Sequence, residues 1–336
     1  SALHGLTHFN LTKGWLPKAR ELCVACLTLA EETQDPALLQ IAHQEMGSIL
    51  LFMGEFSRAL EHLDTSLAQQ EQAQQYEAGF APAVISHARA SWALWMLGYP
   101  ERALTRSQTA LALAQQASHP HSVVIALQYS ALLHQSRREY QRVQDIADTT
   151  LRLAREQGFV RWIAGSLCLR GWALAEQGCV EEGVAQLHQG METLRSMGTE
   201  LAKTHMLFRL AEVYGKGGQT AAGLRVLDEA LDIVQTQGED YFAAELYRLK
   251  GELLQHQGVG KVAEAATCLR QACDVARRQQ ARSFELRATM SLSRLWQQQG
   301  KRAAARQLLT ESYHWFTEGF DIPDLQEAQK LLATLT

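Results

Sequence analysis

In the stretch 54–63 a glycine breaks one amphipathic pattern, and Phe56, two residues on, opens the next. Ala59, Leu63 and Ser66 then lay a small, large, small stripe along one helical face. The pattern recurs along the chain. The residues that break it between paired helices are Gly14, Gly54, Gly98, Arg138, Gly178, Gly218, Gly258 and Gly300, with Arg138 standing in for glycine ahead of Glu139 and Tyr140. Successive differences are 40, 44, 40, 40, 40, 40 and 42 residues. So regular a period predicts a stacked helix-pair solenoid, in which each pair buries its apolar face against its neighbours.

The predicted helix pairs are 3–11 with 17–33, 36–53 with 55–75, 82–97 with 100–117, and 122–135 with 139–157. The second half continues with 159–177 and 180–197, 199–214 and 220–237, 240–257 and 262–279, and 281–299 and 302–317. The corresponding units are 1–34, 35–75, 76–117, 118–157, 158–197, 198–238, 239–279 and 280–317, and a final helix in 322–335 covers the exposed end of the last pair. The 44-residue step places its extra length around 73–80, and two residues are inserted at Val259 and Gly260. Small residues recur at one phase: Gly47, Ser91, Ala131, Gly171, Ala211, Gly251 and Ser293 in the first helices, each seven before its marker. Ala59, Ala103, Val143, Gly183, Gly223 and Ala305 lie five after it in the second helices, with Ala265 displaced by the insertion. A helix-interior glycine costs about 1 kcal/mol relative to alanine. Repetition at one phase implies that close helix packing recovers that cost.

Composition agrees with an all-helical chain. Of 336 residues 46% are hydrophobic and only 6 are proline, and Ala, Leu, Gln, Glu and Arg abound. A net charge of −4 supplies no basic field for nucleic acid or anionic membrane, so nucleic acid is disfavoured as a partner. The 6 cysteines, with no secretory leader ahead of them, point to reduced thiols and a cytoplasmic location. No apolar run reaches the roughly 18 residues a membrane helix needs. The chain starts Ser1-Ala2-Leu3 in mid-pattern, as expected for a piece of a longer protein.

A small residue in the first helix, a turn, then aromatic, Ala, Leu and small in the second resembles the tetratricopeptide repeat. The fold this implies is a right-handed α-solenoid of about eight helix pairs. The spacing near 40 exceeds that family's usual 34, so the helices are longer by close to one turn. The family's tryptophan near the start of the first helix and its closing proline are mostly missing here. A narrower resemblance covers the last third, in the stretches 244–254, 276–288, 295–301 and 313–325, which include Tyr247-Arg248, Ser283-Phe284, Leu295-Trp296 and Tyr313-His314-Trp315. They are similar to the carboxy-terminal repeat region of large bacterial predicted ATPases. In that family a cyclase or DNA-binding domain commonly precedes a STAND-type NTPase module. The resemblance implies a sensor or scaffold arm whose catalytic partners lie outside this chain.

No Gly-x4-Gly-Lys-Ser/Thr loop occurs; the glycines around Gly258 and Gly215 are turn residues in the wrong frame. Cys23-x2-Cys26 has metal-like spacing without a second pair, and reads as buried small hydrophobes, as do Cys268 and Cys273. His119 and His121 read as a solvated turn. No metal, cofactor or enzymatic activity is therefore expected.

First helices line the concave face of such a solenoid, and the positions six and nine before each marker, with neighbours one turn away, look inward. These give Arg89, Trp92 and Trp95; Gln128, Tyr129 and Gln135; Trp172 and Glu176; Phe208, Arg209, Glu212 and Lys216; Glu245, Arg248 and Glu252; Arg287 and Arg294. The aromatics are candidates to anchor a partner, and packing between repeats stays open as their alternative. The spacing of Glu245, Arg248 and Glu252 is that of an intrahelical ion ladder. The expected function is a non-catalytic interaction or ligand-sensing scaffold. Its groove would take a protein or peptide segment, one candidate being the NTPase module of its own full-length chain. A small-molecule effector site, as in STAND-type transcription regulators, is the alternative, and a self-assembling array is a third.

Overall fold

The computed structural model describes residues 2–72 and 82–335. Within these are seventeen α-helices: α1 (Ala2–Thr12), α2 (Leu16–Thr33), α3 (Pro36–Phe52), α4 (Phe56–Gln72), α5 (Pro82–Met96), α6 (Pro100–Ala117), α7 (Pro120–Ser136), α8 (Tyr140–Glu156) and α9 (Val160–Glu176). They continue as α10 (Val180–Ser196), α11 (Lys203–Lys216), α12 (Thr220–Gln237), α13 (Ala243–His256), α14 (Val262–Arg278), α15 (Arg282–Gln298), α16 (Arg302–Tyr313) and α17 (Pro323–Thr334). The extra length expected around 73–80 lies outside the described residues.

Every one of the eight pattern-breaking residues has positive φ, including Arg138 at 63°. Each ends a first helix, and Gly258, at φ 112° and ψ −179°, is extended there. At the corner after α3, Gly54 N–H bonds to the Leu51 carbonyl and Glu55 N–H to that of Leu50, which satisfies carbonyls the helix leaves open. The turns between pairs carry a second series of left-handed residues, among them Gln34, Ser118, Gly158, Gly198, Gly238 and Gln280. Helix pairs cross at their small residues. A Cβ on Gly171 would lie 2.7 Å from the Gly183 carbonyl oxygen, and one on Gly183 would lie 2.6 Å from that of Gly171.

Two helix boundaries differ by four residues from the periodic expectation because residues outside the helix pair intervene. Helix α11 begins at Lys203 rather than at 199. Ala202 takes a left-handed conformation, and the Glu239 carboxylate, from the turn after α12, accepts from Ala202 N, Thr204 N and Thr204 Oγ1. Helix α16 stops at Tyr313, not 317. The chain beyond it crosses to α6, where the Glu318 carboxylate accepts from Glu101 N at 2.8 Å and Arg102 N at 3.1 Å and so caps the start of that helix.

That crossing is one of several by which the superhelix closes on itself. Glu200 N and Leu201 N donate to the Thr12 carbonyl at 3.1 and 3.3 Å, and Ser283 Oγ donates to the Trp95 carbonyl at 2.5 Å. Ser57 Oγ donates to Gln280 Oε1 at 2.6 Å, and Arg138 pairs with Glu327 at 2.6 Å. Residues some 190 to 220 positions apart, about five helix pairs, therefore lie side by side. The concave faces of the two superhelical turns meet along the axis in a column of aromatic rings. Trp92 packs on Tyr241 at 5.4 Å and on Tyr129 at 6.1 Å, His205 on Phe242 at 4.5 Å, and Phe242 and Trp95 both on Phe284 at 5.2 and 5.5 Å.

Candidate functional site

The inward phase assigned from sequence is where the structure puts the first-helix side chains, but at mid-axis no open groove exists for them to line. Trp92, Trp95 and Phe208 are exposed by at most 1%, and the chain's own second turn covers them. Each superhelical turn supplies the other's occupant. Trp92 and Trp95 leave their indole N–H groups without a hydrogen-bond partner, and the Arg287 guanidinium lies over the Trp95 ring, 4.9 Å from its centroid. Two inner cavities remain beside this column, and the other sequence-assigned residues divide between them, except Glu245, which is buried behind the first, and Gln135, which is buried in the packing with its Oε1 unpartnered.

The first, of about 230 Å³, lies among α9, α11, α13, α15 and α17 and takes Trp172, Glu176, Arg209, Glu212, Arg248 and Arg294. Its wall carries opposite charges in three groups of ion pairs. Lys216 pairs with Glu176, and Glu212 accepts from Arg209 at 3.0 Å and from the Trp172 indole at 2.9 Å. Arg248 bridges Glu245 at 2.6 Å and Glu252 at 2.8 Å. Arg287 reaches Glu245 at 3.3 Å and Asp324 at 2.7 Å, and also donates to the Ser136 carbonyl at 2.6 Å. Arg138 and Arg294 both meet Glu327 on α17. The ladder expected within α13 (Glu245, Arg248, Glu252) thus extends through Arg287 to α15 and α17, and a separate pair joins α9 to α11, because the same inward phase repeats from pair to pair. Burial alone would push Glu212 and Glu245 up, but the neighbouring arginines hold both below the usual carboxylate range. Depth grades these pairs. Arg209 is buried, with Nη2 unpartnered, whereas Lys216, Arg294 and Arg138 are nearly half exposed at the mouth.

The second cavity, of about 90 Å³, lies on the other side of the column and takes Arg89, Trp92, Gln128 and Tyr129. Arg161, Trp162, Gly165, Leu201, His205 and Met206 are also in its wall. Arg89 Nε donates to the Tyr129 hydroxyl at 3.0 Å and Nη1 donates to Ser48 Oγ. The Trp162 indole donates to His121 Nε2 at 3.1 Å, so His121 sits in a packed wall and not on a solvated turn. Gln128 Oε1 accepts from Ser166 Oγ at 3.2 Å, and Gly165 leaves room for the Gln128 amide, which a Cβ there would meet at 2.7 Å.

Sequence reasoning omitted Arg161, His205 and, at the first cavity, Arg138, Asp324 and Glu327. The first two had a periodic signal. Positions thirteen and seventeen before each marker continue the six and nine series along the same helical face, and they give Gly165, His205, Glu245 and Arg287, and His121, Arg161, Leu201 and Tyr241. The last three enter only through superhelix closure. Cys23, buried and donating to the Ala42 carbonyl at 3.5 Å, is packed as a small hydrophobe.

No family model matches the chain. Over 202 residues, 60% of its length, it is 26% identical to an uncharacterised protein of Rhizobium meliloti (strain 1021), and the chain spans about a fifth (20%) of that relative's length. Among solved structures it is similar to a Rap protein complexed with competence and sporulation factor, with a TM-score of 0.63 at 13% identity, covering 92% of this chain and 80% of that one. It is also similar to the Rap conjugation gene regulator of plasmid pLS20 in complex with the Phr* peptide, with a TM-score of 0.62 at 11% identity, covering 91% of this chain and 79% of that one. NprR in complex with its cognate peptide NprX gives a TM-score of 0.58 at 16% identity, covering 84% of this chain and 81% of that one. The shared property is the fold. The chain is a tetratricopeptide-like helical-repeat solenoid, and among the described residues no helix is long and apolar enough to cross a membrane.

Proposed function

We propose that the chain is a non-catalytic sensing scaffold whose charged inner cavity takes a peptide or protein segment bearing both acidic and basic side chains. The observation that carries this reading is the placement of the cavity at the closure seam. Arg138 belongs to the first superhelical turn, Asp324 and Glu327 to the last helix, and they form ion pairs across it. Half-exposed pairs such as Arg294–Glu327 are individually weak, typically about 0–1 kcal/mol, so a ligand's own charges can exchange with them at little cost. A segment that engages both sides of the seam binds the closed and the opened superhelix unequally. It shifts their balance by that difference in affinity. Peptides bound by solenoids of this fold, as in the pLS20 Rap regulator and NprR complexes, support the choice of ligand class. The resemblance of the last third to the repeat region of bacterial predicted ATPases supports a regulatory role toward an NTPase module in a longer chain.

Fluorescence anisotropy with labelled peptide pools sorted by charge tests the reading. Mixed-charge peptides are expected to bind the unmodified chain and to lose about tenfold in affinity to a Lys216→Ala/Arg294→Ala variant, the loss of one or two charge-assisted contacts. Equal binding by both folded proteins would reject the seam as the site.

A further inference from the structure

The second cavity has a property the first lacks, which is positive charge without a counter-ion. Arg89 on α5 and Arg161 at the start of α9 both line it. Arg89 bonds to two hydroxyls, and the Arg161 guanidinium lies over the Trp162 ring, 5.6 Å from its centroid. Among the described residues neither arginine forms an ion pair. The carboxylate on the neighbouring helix α3, Glu45, is turned to the histidines of α1, with Oε1 at 3.1 Å from His4 Nδ1 and 3.9 Å from His8 Nδ1. Burial pushes the Arg161 guanidinium below its ordinary range; Tyr129 opposes this and the like charge of Arg89 adds to it. Guanidinium groups nevertheless remain protonated in proteins, so two cations stand together in a largely apolar recess.

The rest of the wall says what kind of anion would suit them. Tyr129, Trp162, His205, Leu201 and Met206 supply aromatic and aliphatic surface. A fully hydrated dianion such as inorganic phosphate would lose its water against that surface for little return. A carboxylate on an apolar body would place its two oxygens against the guanidinium forks and its body on the rings.

We propose that this cavity binds a carboxylate carried on a small aromatic or aliphatic body, with the oxygens between Arg89 and Arg161 and the body against Tyr129, Trp162 and His205. A free organic acid and the C-terminal residue of a peptide share this chemistry. The site lies across the aromatic column from the charged seam and stands independently of the peptide reading proposed there.

Thermal melting and titration calorimetry on the full chain test it, with benzoate and a tripeptide ending in a free phenylalanine carboxylate as probes. Benzamide, the tripeptide amide and inorganic phosphate serve as comparisons. The acids are expected to bind and raise the melting temperature, and the amides are not. Arg161→Met is expected to weaken acid binding by about tenfold or more, while the ligand-free variant melts no lower than the parent, because a half-buried cation without an ion-pair partner has been replaced by an apolar chain of similar length. Binding of benzoate alone assigns a free acid, and binding of the tripeptide alone assigns a chain terminus. Equal binding of acids and amides, binding of phosphate alone, or no binding of either acid overturns the proposal. Should Arg161→Met fail to fold, the acid–amide comparison on the unmodified chain still decides. Acid binding without any mixed-charge peptide binding would leave this site standing and remove the seam reading, and the converse would do the opposite.

Discussion

Arg138 shows how far a single position can be read from spacing alone. It occupies the corner where seven other units have glycine, and it takes the left-handed conformation that the corner demands at φ 63°. Its side chain meanwhile holds Asp324 and Glu327 across the seam, which explains why a strained residue is kept there. Arg138→Ala and Arg138→Gly both lose those pairs, but only glycine relaxes the backbone. Unfolding free energies from urea titration are expected to place the glycine variant about 1 kcal/mol above the alanine one. Protonation gives a second residue-scale outcome. Burial pushes His205 well below its ordinary value, and its Nε2 accepts from Arg209 Nε at 3.2 Å, so it is neutral in the folded chain. The unfolded chain takes up a proton at this residue near pH 6.5 and the folded chain does not, so stability falls as pH drops below that value. Glu239 acts in the opposite sense. Burial pushes it up to about 7 from 4.5, so the folded chain binds the extra proton and this residue favours folding increasingly as pH falls from 7 to 4.5. Melting curves between those limits should show a shallower acid loss in His205→Gln and a steeper one in Glu239→Gln; parallel slopes in all three proteins would refute both assignments.

At the scale of the helices, the period of the small residues was legible because it records a contact between sequence neighbours. Gly171 and Gly183 bring the α9 and α10 backbones together where either Cβ would collide with a carbonyl oxygen. Gly171→Ala is therefore expected to destabilise by about 1–3 kcal/mol despite alanine's better helix propensity. Gly5→Ala on α1, where a Cβ would meet nothing within 4 Å, is expected to stabilise by up to about 1 kcal/mol. Chemical denaturation of the pair separates packing from propensity. Helix ends were legible to the same degree only where the cap is local. Those of α11 and α16 were displaced by Glu239 and by the chain that reaches α6, partners outside the repeat that no window of sequence contains.

For the whole molecule, the sequence pattern told which residues look inward and not what they look at. Curvature is the accumulated sum of small rotations between pairs, and a slightly different rotation would have left Trp92 and Phe208 facing solvent. The closed axis changes what truncation does. In an open solenoid, removing the last units costs chiefly their own interfaces. Here a chain ending at residue 279 would strip Phe284 from Trp95 and Arg287 from the Ser136 carbonyl. Proteolysis and hydrogen exchange are expected to show lost protection in α5 and α7, far upstream of the cut, whereas unchanged protection there would argue that the turns are only loosely joined. Trp92→Ala, which empties the middle of the column, should cost about 3–5 kcal/mol, the loss typical of a buried aromatic.

The bond from Ser283 to the carbonyl of Trp95 has a genealogical side. Repeat proteins ordinarily lengthen by duplicating a unit anywhere along the array. In this chain a duplication between those two residues would carry Ser283 and Phe284 one unit further round the spiral and match them with the wrong partner. Units can be gained or lost freely only outside the interval that the closure spans, so the count inside it behaves as an inherited constant while the ends remain open to growth. Relatives of different length should accordingly differ at their termini and keep this interval intact.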